Sequence, residues 1–310
     1  MAWFFKQYKK HTNTQQLLDI EAIQNVLHGL DLDFSNETLQ TVNHPRAGIE
    51  PSSQRGQGVD LVENREYQIG DNPKHINWRM SARLTKIHTK IFQEEKHSQT
   101  LVVVDCRPSM WFGTKVQLKM RQALLVAALF MASAAKRAQA YAMLTVTDAL
   151  CSVPFYQSQS QLFDLLLNAS RVSNRPSRDV EPIQLNFLLE FIHRHYPMGN
   201  HVVIVSDFYD FNRQDQNRIE ELSQHNRITL VNISDPADWS LPVAGQIHCV
   251  GKEPWHIMSI DSANKAVRDE FNHQLQQQQK YQESLLHACH VPVVDLDVRD
   301  QSYQSLRAFL

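Results

Sequence analysis

The stretch LVVVDCRPSMWFG, residues 101–113, constrains the fold of this chain more than any other segment. Four apolar residues lead into Asp105, Ser109 follows four positions later, and an alanine- and leucine-rich segment typical of a buried helix comes next. A buried strand of this kind delivers polar side chains to the carboxyl edge of a parallel sheet, where ligands bind. A simpler interpretation also fits, in which Asp105 closes the strand and Ser109 is a turn residue.

Strand and helix patterns alternate from residue 98 onward. Strands are predicted at 101–105, 141–147, 151–155, 201–206, 228–233 and 291–297, with a small hairpin at 246–250 and 256–260. Helices are predicted at 115–138, 158–169, 182–195, 212–225 and 262–288. This alternation predicts an α/β fold in which a mostly parallel sheet carries helices on both faces. The QQQQ run at 276–279 is expected to be a solvated helix face.

Residues 1–97 are predicted to form an N-terminal extension to a domain spanning 98–310. Apolar spacing predicts a helix within 13–32, and a second short helix is expected around 37–42. Proline and glycine predict a loop over 44–58, whereas the alternation in IHTKIFQEE, residues 87–95, predicts a strand. The extension is therefore predicted to be helical with short strands.

Composition and missing motifs exclude several classes of function. A formal net charge of −2 gives no reason to expect a nucleic-acid partner, and four scattered cysteines suggest neither a zinc site nor a disulfide framework. The chain has no GxxxxGK[ST], GxGxxG, GxSxG or HExxH motif. The longest apolar stretch, residues 123–135, is too short to cross a bilayer. We therefore expect a cytoplasmic protein without direct membrane insertion.

Three oxygen-bearing side chains are expected to meet at one edge of the sheet. Asp105 and Asp207 each follow a predicted strand, and Ser109 lies in the loop after the first. Two carboxylates and a hydroxyl suit Mg²⁺. The arrangement resembles the von Willebrand factor A fold, whose metal-ion-dependent adhesion site combines a D-x-S-x-S loop, a later Thr and a later Asp. Here Arg107 replaces the middle Ser, and the loop 171–181 offers no Thr, only Ser173 and Ser177.

Arg107 changes the electrostatics that this resemblance implies. A guanidinium near Asp105 and Asp207 pairs with carboxylates and repels a divalent cation. We hypothesise that Arg107 takes the place of the ion, which leaves a metal-free site. The competing possibility is that Arg107 points to solvent and a weak Mg²⁺ site survives. The expected cofactor is accordingly none, or weakly held Mg²⁺.

A longer signature precedes the sheet in GQGVDLVENREYQIGDNPKHINWRMSAR, residues 56–83. It resembles that of the bacterial family 58 of domains of unknown function, which reads G-x-G-x-E-F, R-x-Y-x-x-G-D, R-x-I-D-W and S-A-R. The matching residues are Gly56, Gly58, Arg65, Tyr67, Gly70, Asp71, Ile76, Trp78, Ser81, Ala82 and Arg83. Asp60, Leu61, Lys74 and Asn77 stand where the family has Glu, Phe, Arg and Asp. The segment carrying this signature spans residues 48–97.

The resemblance implies a function. Members are commonly encoded beside MoxR-type AAA+ ATPases and are thought to act as adaptors, so we expect a non-enzymatic protein-interaction module with such an ATPase as partner. The expected interaction surface comprises Arg65, Tyr67, Asp71, Trp78, Arg83 and Arg107. The signature could instead be only a folding clasp. The rival functions are a divalent-metal-dependent hydrolase using Asp105 and Asp207, and a purely structural scaffold.

Overall fold

The computed structural model of the chain describes most of the 310 residues. The described ranges are 4–5, 17–32, 50–56, 60–68, 73–84, 86–96, 99–114, 116–147, 149–152, 154–171, 182–243, 245–250 and 257–310. The chain forms two compact units, one made of residues 1–45 and 99–310 and the other of residues 46–98. The predicted extension 1–97 is therefore shared between the two units.

The larger unit contains a six-stranded sheet and a three-stranded sheet. Its strands are β1 (Phe4–Phe5), β5 (Gln99–Asp105), β6 (Ala140–Val146), β7 (Leu150–Ser152), β8 (Asn200–Ser206), β9 (Arg227–Ser234), β10 (Gln246–Val250), β11 (Ile257–Asp261) and β12 (Val293–Asp297). Its helices are α1 (Ile20–Gly29), α3 (Lys119–Lys136), α4 (Gln159–Ala169), α5 (Leu185–His195), α6 (Arg213–Ser223) and α7 (Lys265–His287). In the smaller unit are β2 (Glu50–Gly56), β3 (Asp60–Glu66), α2 (Trp78–Leu84) and β4 (His88–Lys96).

The six strands lie in the order β12-β9-β8-β5-β6-β7. All neighbours are parallel except β7, which pairs antiparallel with β6. Counted along the chain, this is the doubly wound order 3-2-1-4-5-6, in which the order reverses between β5 and β8. The predicted α/β class with a mostly parallel sheet is therefore confirmed.

Alternating side chains of β5 point to opposite faces of the sheet and enter two separate hydrophobic clusters. Val102 and Val104 pack in a cluster with residues of α1, α3 and α4. Leu101 and Val103 pack in the other cluster, with residues of α5, α6 and α7. Because apolar side chains are buried on both faces, the central strands read as continuous hydrophobic runs.

Several predicted elements differ from the observed ones at their ends. The helix predicted at 115–138 is α3, which begins at Lys119 and ends at Lys136, and a short 3₁₀ turn over Pro108–Trp111 precedes it. The helix predicted within 13–32 is α1, and its N-cap is Asp19, whose side chain accepts from the Ala22 N–H. The predicted hairpin is β10 and β11, and β1 adds a third strand to it. The small additional strand was not predicted because only two residues take part.

One prediction in the smaller unit is wrong. Residues 50–56, which the sequence assigns to a loop, form strand β2 and pair antiparallel with β4. Proline and glycine are tolerated here because β2 is an edge strand of the order β2-β4-β3, and its register shifts between Pro51 and Arg55. The helix expected around 37–42 lies outside the described residues.

None of the helices in the described ranges combines the length and apolarity that a membrane span requires.

Candidate ion-paired site at the carboxyl edge of the sheet

The candidate site lies where the strand order reverses, at the carboxyl ends of β5 and β8. Asp105 is the last residue of β5, and Asp207 directly follows β8. The two strands are parallel neighbours, so the loops that follow them meet at one edge. Both side chains are buried, at 3% exposure each. The structure thus brings the two predicted carboxylates to the same edge.

Arg107 binds Asp105 along both carboxylate oxygens. Its Nε lies 3.0 Å from Oδ1 and its Nη2 lies 2.8 Å from Oδ2, while its backbone N–H donates to Oδ1 at 2.9 Å. Ser206 Oγ donates to Oδ2 at 2.6 Å. These donors occupy both oxygens of Asp105, and the pairing has the planar fork geometry that only arginine supplies.

Asp210 is the second carboxylate that Arg107 reaches. The guanidinium Nη1 and Nη2 atoms lie 2.5 and 3.0 Å from the Asp210 oxygens, and the ring of Tyr209 lies 4.9 Å from the guanidinium carbon. Burial alone would lower the pKa of Arg107, but Asp105 and Asp210 outweigh it and raise the pKa well above the usual range. Arg107 is therefore charged and only 1% exposed, with carboxylates on two sides.

Lys119 supplies a second buried cation, which the sequence analysis missed. Its Nζ lies 3.1 Å from Asp207 Oδ2 and 2.7 Å from Asp238 Oδ2, and its side chain is 4% exposed. Burial opposes the charge, yet Asp238 and Asp207 raise the pKa of Lys119 above its ordinary value. The cation predicted to face Asp207 was Arg107, whereas in the structure the ammonium bound to Asp207 belongs to Lys119.

Ser109, the third predicted member, contacts Asp207. Its hydroxyl donates to Asp207 Oδ1 at 3.2 Å. Burial raises the pKa of the Asp207 carboxyl above its ordinary value, Lys119 opposes that shift, and the nearby Asp105 carboxylate adds to it. Lys119 thus offsets part of the cost of burying the Asp207 carboxylate.

The backbone at Phe208 and at Gly113 helps to position Asp207 and Lys119. Phe208, next to Asp207, has a φ of 46°, and its N–H donates to Ser206 Oγ at 3.0 Å. A left-handed conformation at a bulky residue costs on the order of 1–3 kcal/mol, which the surrounding contacts must offset. Gly113 lies between the first loop and α3, where a Cβ atom would overlap the carbonyl oxygen of Gln117. A side chain at position 113 would displace the start of α3, which carries Lys119.

A cleft open to solvent adjoins the ion pairs. Its lining includes Ser109, Lys119, Asp207 and Asp238 on the sheet side and Gln278, Gln279 and Gln282 from α7. The prediction of a solvated face for residues 276–279 is therefore only half right. Gln276 and Gln277 are exposed, whereas Gln278 and Gln279 are half-buried against the cleft.

The donor set does not fit a divalent metal ion. A cation between Asp105 and Asp207 would have to displace Arg107 and Lys119 from the oxygens they occupy or lie beside two full positive charges. Within the described ranges, no three His, Cys, Asp or Glu side chains are grouped so as to hold a metal. Ser173 and Ser177, the substitutes considered for the missing Thr, lie outside the described residues.

The signature residues divide into structural and exposed ones. Asn77 donates to Asn64 Oδ1 at 2.9 Å, and Ser81 Oγ accepts from the His88 N–H at 2.8 Å, which ties α2 to β3 and β4. Arg65 and Tyr67 are half-buried at the end of β3, while Trp78 and Arg83 are exposed on α2. Asp71 lies outside the described residues.

A scan against protein-family models matches residues 63–281 to the family described as "Protein of unknown function DUF58". The match covers more than two thirds of the chain. The chain belongs to the DUF58 family. The resemblance drawn from the signature is thereby confirmed, and the match extends through α3 and α6 into α7.

This DUF58 chain is similar to proteins of two mycobacteria. They are named Uncharacterized protein Rv1480, from Mycobacterium tuberculosis, and Uncharacterized protein Mb1516, from Mycobacterium bovis. Each is 22% identical over 259 residues, which cover 82% of this chain and 78% of the relative. The similarity thus extends over most of both proteins.

Among solved structures, the DUF58 chain is similar to two further proteins. One is the conserved hypothetical protein BatB from Bacteroides thetaiotaomicron, with a TM-score of 0.39 and 11% identity, covering 68% of this chain and 97% of that one. The other is the SpRpn10 VWA domain, with a TM-score of 0.38 and 7% identity, covering 67% and 93%.

Proposed function

We propose that this chain is a non-enzymatic protein-interaction module of the cytoplasm whose partner is a MoxR-type AAA+ ATPase. The partner is suggested by the resemblance of the signature to a family commonly encoded beside such ATPases. In this proposal the carboxyl edge of the sheet is a degenerate form of the metal-ion-dependent adhesion site. It serves as a rigid interaction surface and holds no metal.

The observation that carries the proposal is the saturation of Asp105. Both oxygens accept hydrogen bonds, from the Arg107 side chain and backbone N–H and from Ser206. A carboxylate that ligates a metal must keep a free lone pair directed at the ion. Both oxygens of Asp105 are used in hydrogen bonds within the protein, which favours a structural role over metal binding.

The hydrolase alternative finds no support in this geometry. A metal-dependent hydrolase needs an ion that lowers the pKa of a bound water, or a nucleophile beside a general base. Asp105 and Asp207 are instead held by Arg107 and Lys119 in buried ion pairs. Charge is neutralised here by side chains of the chain itself, which suits a preorganised surface better than catalysis.

The exposed parts of the edge identify the groups that a partner would contact. The side chains of Asp210 and Asp238 are 19% and 20% exposed, whereas Arg107 and Lys119 lie behind them at 2% and 4%. Arg107, predicted to belong to the interaction surface, is too buried to touch a partner. In the proposal it acts indirectly, by positioning Asp210.

Affinity capture of the tagged protein from its native cells, in Mg²⁺ and in EDTA and read by mass spectrometry, tests the proposal. Enrichment of an AAA+ ATPase in both buffers supports it, and no ATPase in either buffer contradicts it. If capture needs Mg²⁺, a Mn²⁺ titration of the purified protein decides whether this chain or the partner's nucleotide holds the metal. Saturable Mn²⁺ binding to this chain would overturn the metal-free site.

A pair of matched variants locates the contact. Asp210→Asn leaves Arg107 paired with Asp105 but removes one partly exposed charge, and Asp269→Asn removes an exposed charge from α7. We expect capture of the ATPase to fall at least tenfold for Asp210→Asn and to be unchanged for Asp269→Asn. Equal capture by both variants would mean that this edge is not the contact surface.

A further inference from the structure

Some residues at helix α2 hold it on the strands of its unit, and others are exposed to solvent. Asn77 caps the helix by accepting from the Met80 N–H at 3.2 Å and also binds Asn64. Ser81 donates to the Asn77 carbonyl at 2.8 Å and accepts from the His88 N–H. These two residues are four positions apart and so lie on one face, which is the face that holds α2 on the strands of its unit.

The adjoining faces of α2 are exposed. Trp78 is 68% exposed, and Arg79, Ala82 and Arg83 are also exposed. Trp78 and Ala82 form one i,i+4 row, and Arg79 and Arg83 form the row beside it. Neither guanidinium makes an ion pair or hydrogen bond with any other described residue. We call this surface, made of Trp78, Arg79, Ala82 and Arg83, the α2 stripe.

The chain around the α2 stripe is basic. Residues 72–93 contain five Lys or Arg, at positions 74, 79, 83, 86 and 90, and no Asp or Glu, although the whole chain has a net charge of −2. Lys86 reaches outside this segment and pairs with Glu66 at 2.6 Å, and neither arginine of the stripe has an acidic partner in the described part of the chain. The positive charges near the exposed indole of Trp78 favour a negatively charged partner.

We propose that the α2 stripe is a docking surface for an acidic protein segment that places an apolar side chain against the indole of Trp78. Tryptophan and arginine are the residues most enriched among those that dominate binding energy at protein interfaces. Two guanidiniums one turn apart can each take a carboxylate bidentately. Ala82 leaves room beside the indole for the apolar side chain of the partner.

A membrane surface fits the stripe less well. A helix that lies on a bilayer presents a continuous apolar face. Helix α2 has seven residues, so it is about 10 Å long, and Trp78 and Leu84 are six residues apart, which places them about 120° apart around the axis with Ser81 between them. The exposed apolar side chains Trp78 and Leu84 therefore form no continuous apolar face, whereas one indole flanked by two arginines suits a peptide.

The inference rests on the proposed interaction role, and its test uses defined probes instead of the ATPase. A display library of random 12-residue peptides is selected on the immobilised full-length chain, and the enriched peptides are titrated by fluorescence anisotropy. We expect them to combine Asp or Glu with an aromatic or aliphatic residue. Selection of basic or uncharged peptides, or no enrichment, would overturn the proposal.

Variants of the stripe make the test specific. Trp78→Ala and the charge reversal Arg79→Glu/Arg83→Glu should each weaken peptide binding at least tenfold. The matched reversal Arg194→Glu/Arg218→Glu, on helices of the other unit, should leave binding unchanged. Because Trp78, Arg79 and Arg83 are exposed, the variants should keep the wild-type melting temperature. Binding that is indifferent to both stripe variants would overturn the proposal.

A charge swap and two competing ligands complete the design. Peptides in which Lys replaces each acid should bind Arg79→Glu/Arg83→Glu better than they bind the wild type. Sedimentation with vesicles of 30% phosphatidylglycerol in phosphatidylcholine, and gel shifts with poly(U), test the other occupants. Stripe-dependent binding to either, without acidic peptides, would overturn the proposal. If the stripe binds acidic peptides but no ATPase is captured, the inference survives and the proposed partner fails.

Discussion

The guanidinium of Arg107 binds the carboxylate of Asp105, two residues earlier in the chain, with Nε 3.0 Å from Oδ1 and Nη2 2.8 Å from Oδ2. The same guanidinium spans to Asp210, more than one hundred residues later. A local pair at the end of β5 is thereby joined to the loop that follows β8. The positive charge of Arg107 thus links the loops that follow β5 and β8 at this edge of the sheet.

Removing that charge should destabilise the protein strongly. Arg107→Ala leaves the buried Asp105 carboxylate without its paired positive charge, which typically costs about 3–5 kcal/mol, although Ser206 and the backbone N–H still donate to it. Arg107→Lys should lie between the wild type and Arg107→Ala because an ammonium cannot bind both oxygens in a fork. Urea unfolding followed by circular dichroism measures the loss. Arg299→Ala, which breaks an exposed pair with Asp297, is the matched control and should change little. Equal effects of the two alanine variants would contradict the structural role of Arg107.

Asp215 should make the protein less stable as the pH rises from about 4 to 6. The residue is fully buried, one oxygen accepts from the Asn212 N–H, and the other has no partner among the described residues. Burial raises the pKa of Asp215 to about 6 in the native state, whereas an unfolded chain releases this proton near pH 3.9. The native state therefore holds the extra proton in this window, and stability falls as that proton is lost, by on the order of 1–3 kcal/mol.

The variant Asp215→Asn isolates this effect. The asparagine carbonyl can still accept from Asn212, but the side chain no longer titrates. The free energy of unfolding, measured in urea at pH 4.5, 5.5, 6.5 and 7.5, should lose the downward component between pH 4.5 and 6.5. Asp164→Asn, on the exposed side of α4, is the matched control. An unchanged pH slope in Asp215→Asn would show that the carboxyl titrates normally.

His201 should act in the opposite direction. Its ring lies edge-on to Phe130, with centroids 5.9 Å apart, and its Nε2 lies 3.0 Å from Thr229 Oγ1. Burial, with Arg227 and Arg137 adding to it, lowers the pKa of His201 to about 4. The unfolded chain binds a proton near pH 6.5, so stability is lost as the pH falls from about 6.5 to 4, by up to about 3 kcal/mol.

The variant His201→Asn should remove this contribution in the same urea series and leave the opposite one of Asp215. Between pH 4 and 6 the contributions of His201 and Asp215 oppose each other, so the wild type should show a shallower pH dependence than either variant alone. His193, exposed on α5, gives the control His193→Asn. If His201→Asn follows the wild-type curve, the ring is protonated normally in the native state.

The sequence predicted the fold better than the site. Runs such as VVVD and VVIVSD read as buried parallel strands because both faces are covered, and their carboxyl ends placed Asp105, Ser109 and Asp207 correctly at one edge. Lys119 could not be recognised, because a lysine at the start of an alanine-rich helix usually faces water. Its burial depends on Asp207 and Asp238, which lie 88 and 119 residues later in the chain.

The same reason explains the other errors. Asp210, three positions after Asp207, was not among the predicted site residues, and only the tertiary structure shows that it shares Arg107 with Asp105. The loop predicted over residues 44–58 contains β2 because pairing with β4 outweighs the local preferences of Pro51 and Gly56. Both features depend on contacts between residues far apart in the sequence, which hydrophobic periodicity cannot predict.

Restoring the metal-binding pattern should give the site an affinity that the wild type lacks. Arg107→Ser rebuilds D-x-S-x-S from Asp105 to Ser109, and Lys119→Ala removes the second cation from Asp207. In the double variant, the Asp105 and Asp207 carboxylates keep no buried Arg or Lys beside them, and the hydroxyls of residues 107 and 109 add oxygen ligands. Their mutual repulsion is then relieved by a divalent ion, since Mn²⁺ prefers such oxygen ligands.

We expect Mn²⁺ to raise the melting temperature of the double variant and to leave that of the wild type unchanged. The stabilisation should reach about 1.4–2.7 kcal/mol at 10–100 times the Kd. The control Arg194→Ser/Lys280→Ala, on exposed helix faces, should resemble the wild type. If the double variant does not fold, direct Mn²⁺ binding to the wild type, followed by electron paramagnetic resonance, still tests the conclusion. Saturable binding to the wild type, reversed by EDTA, would refute the conclusion that Arg107 and Lys119 exclude the ion.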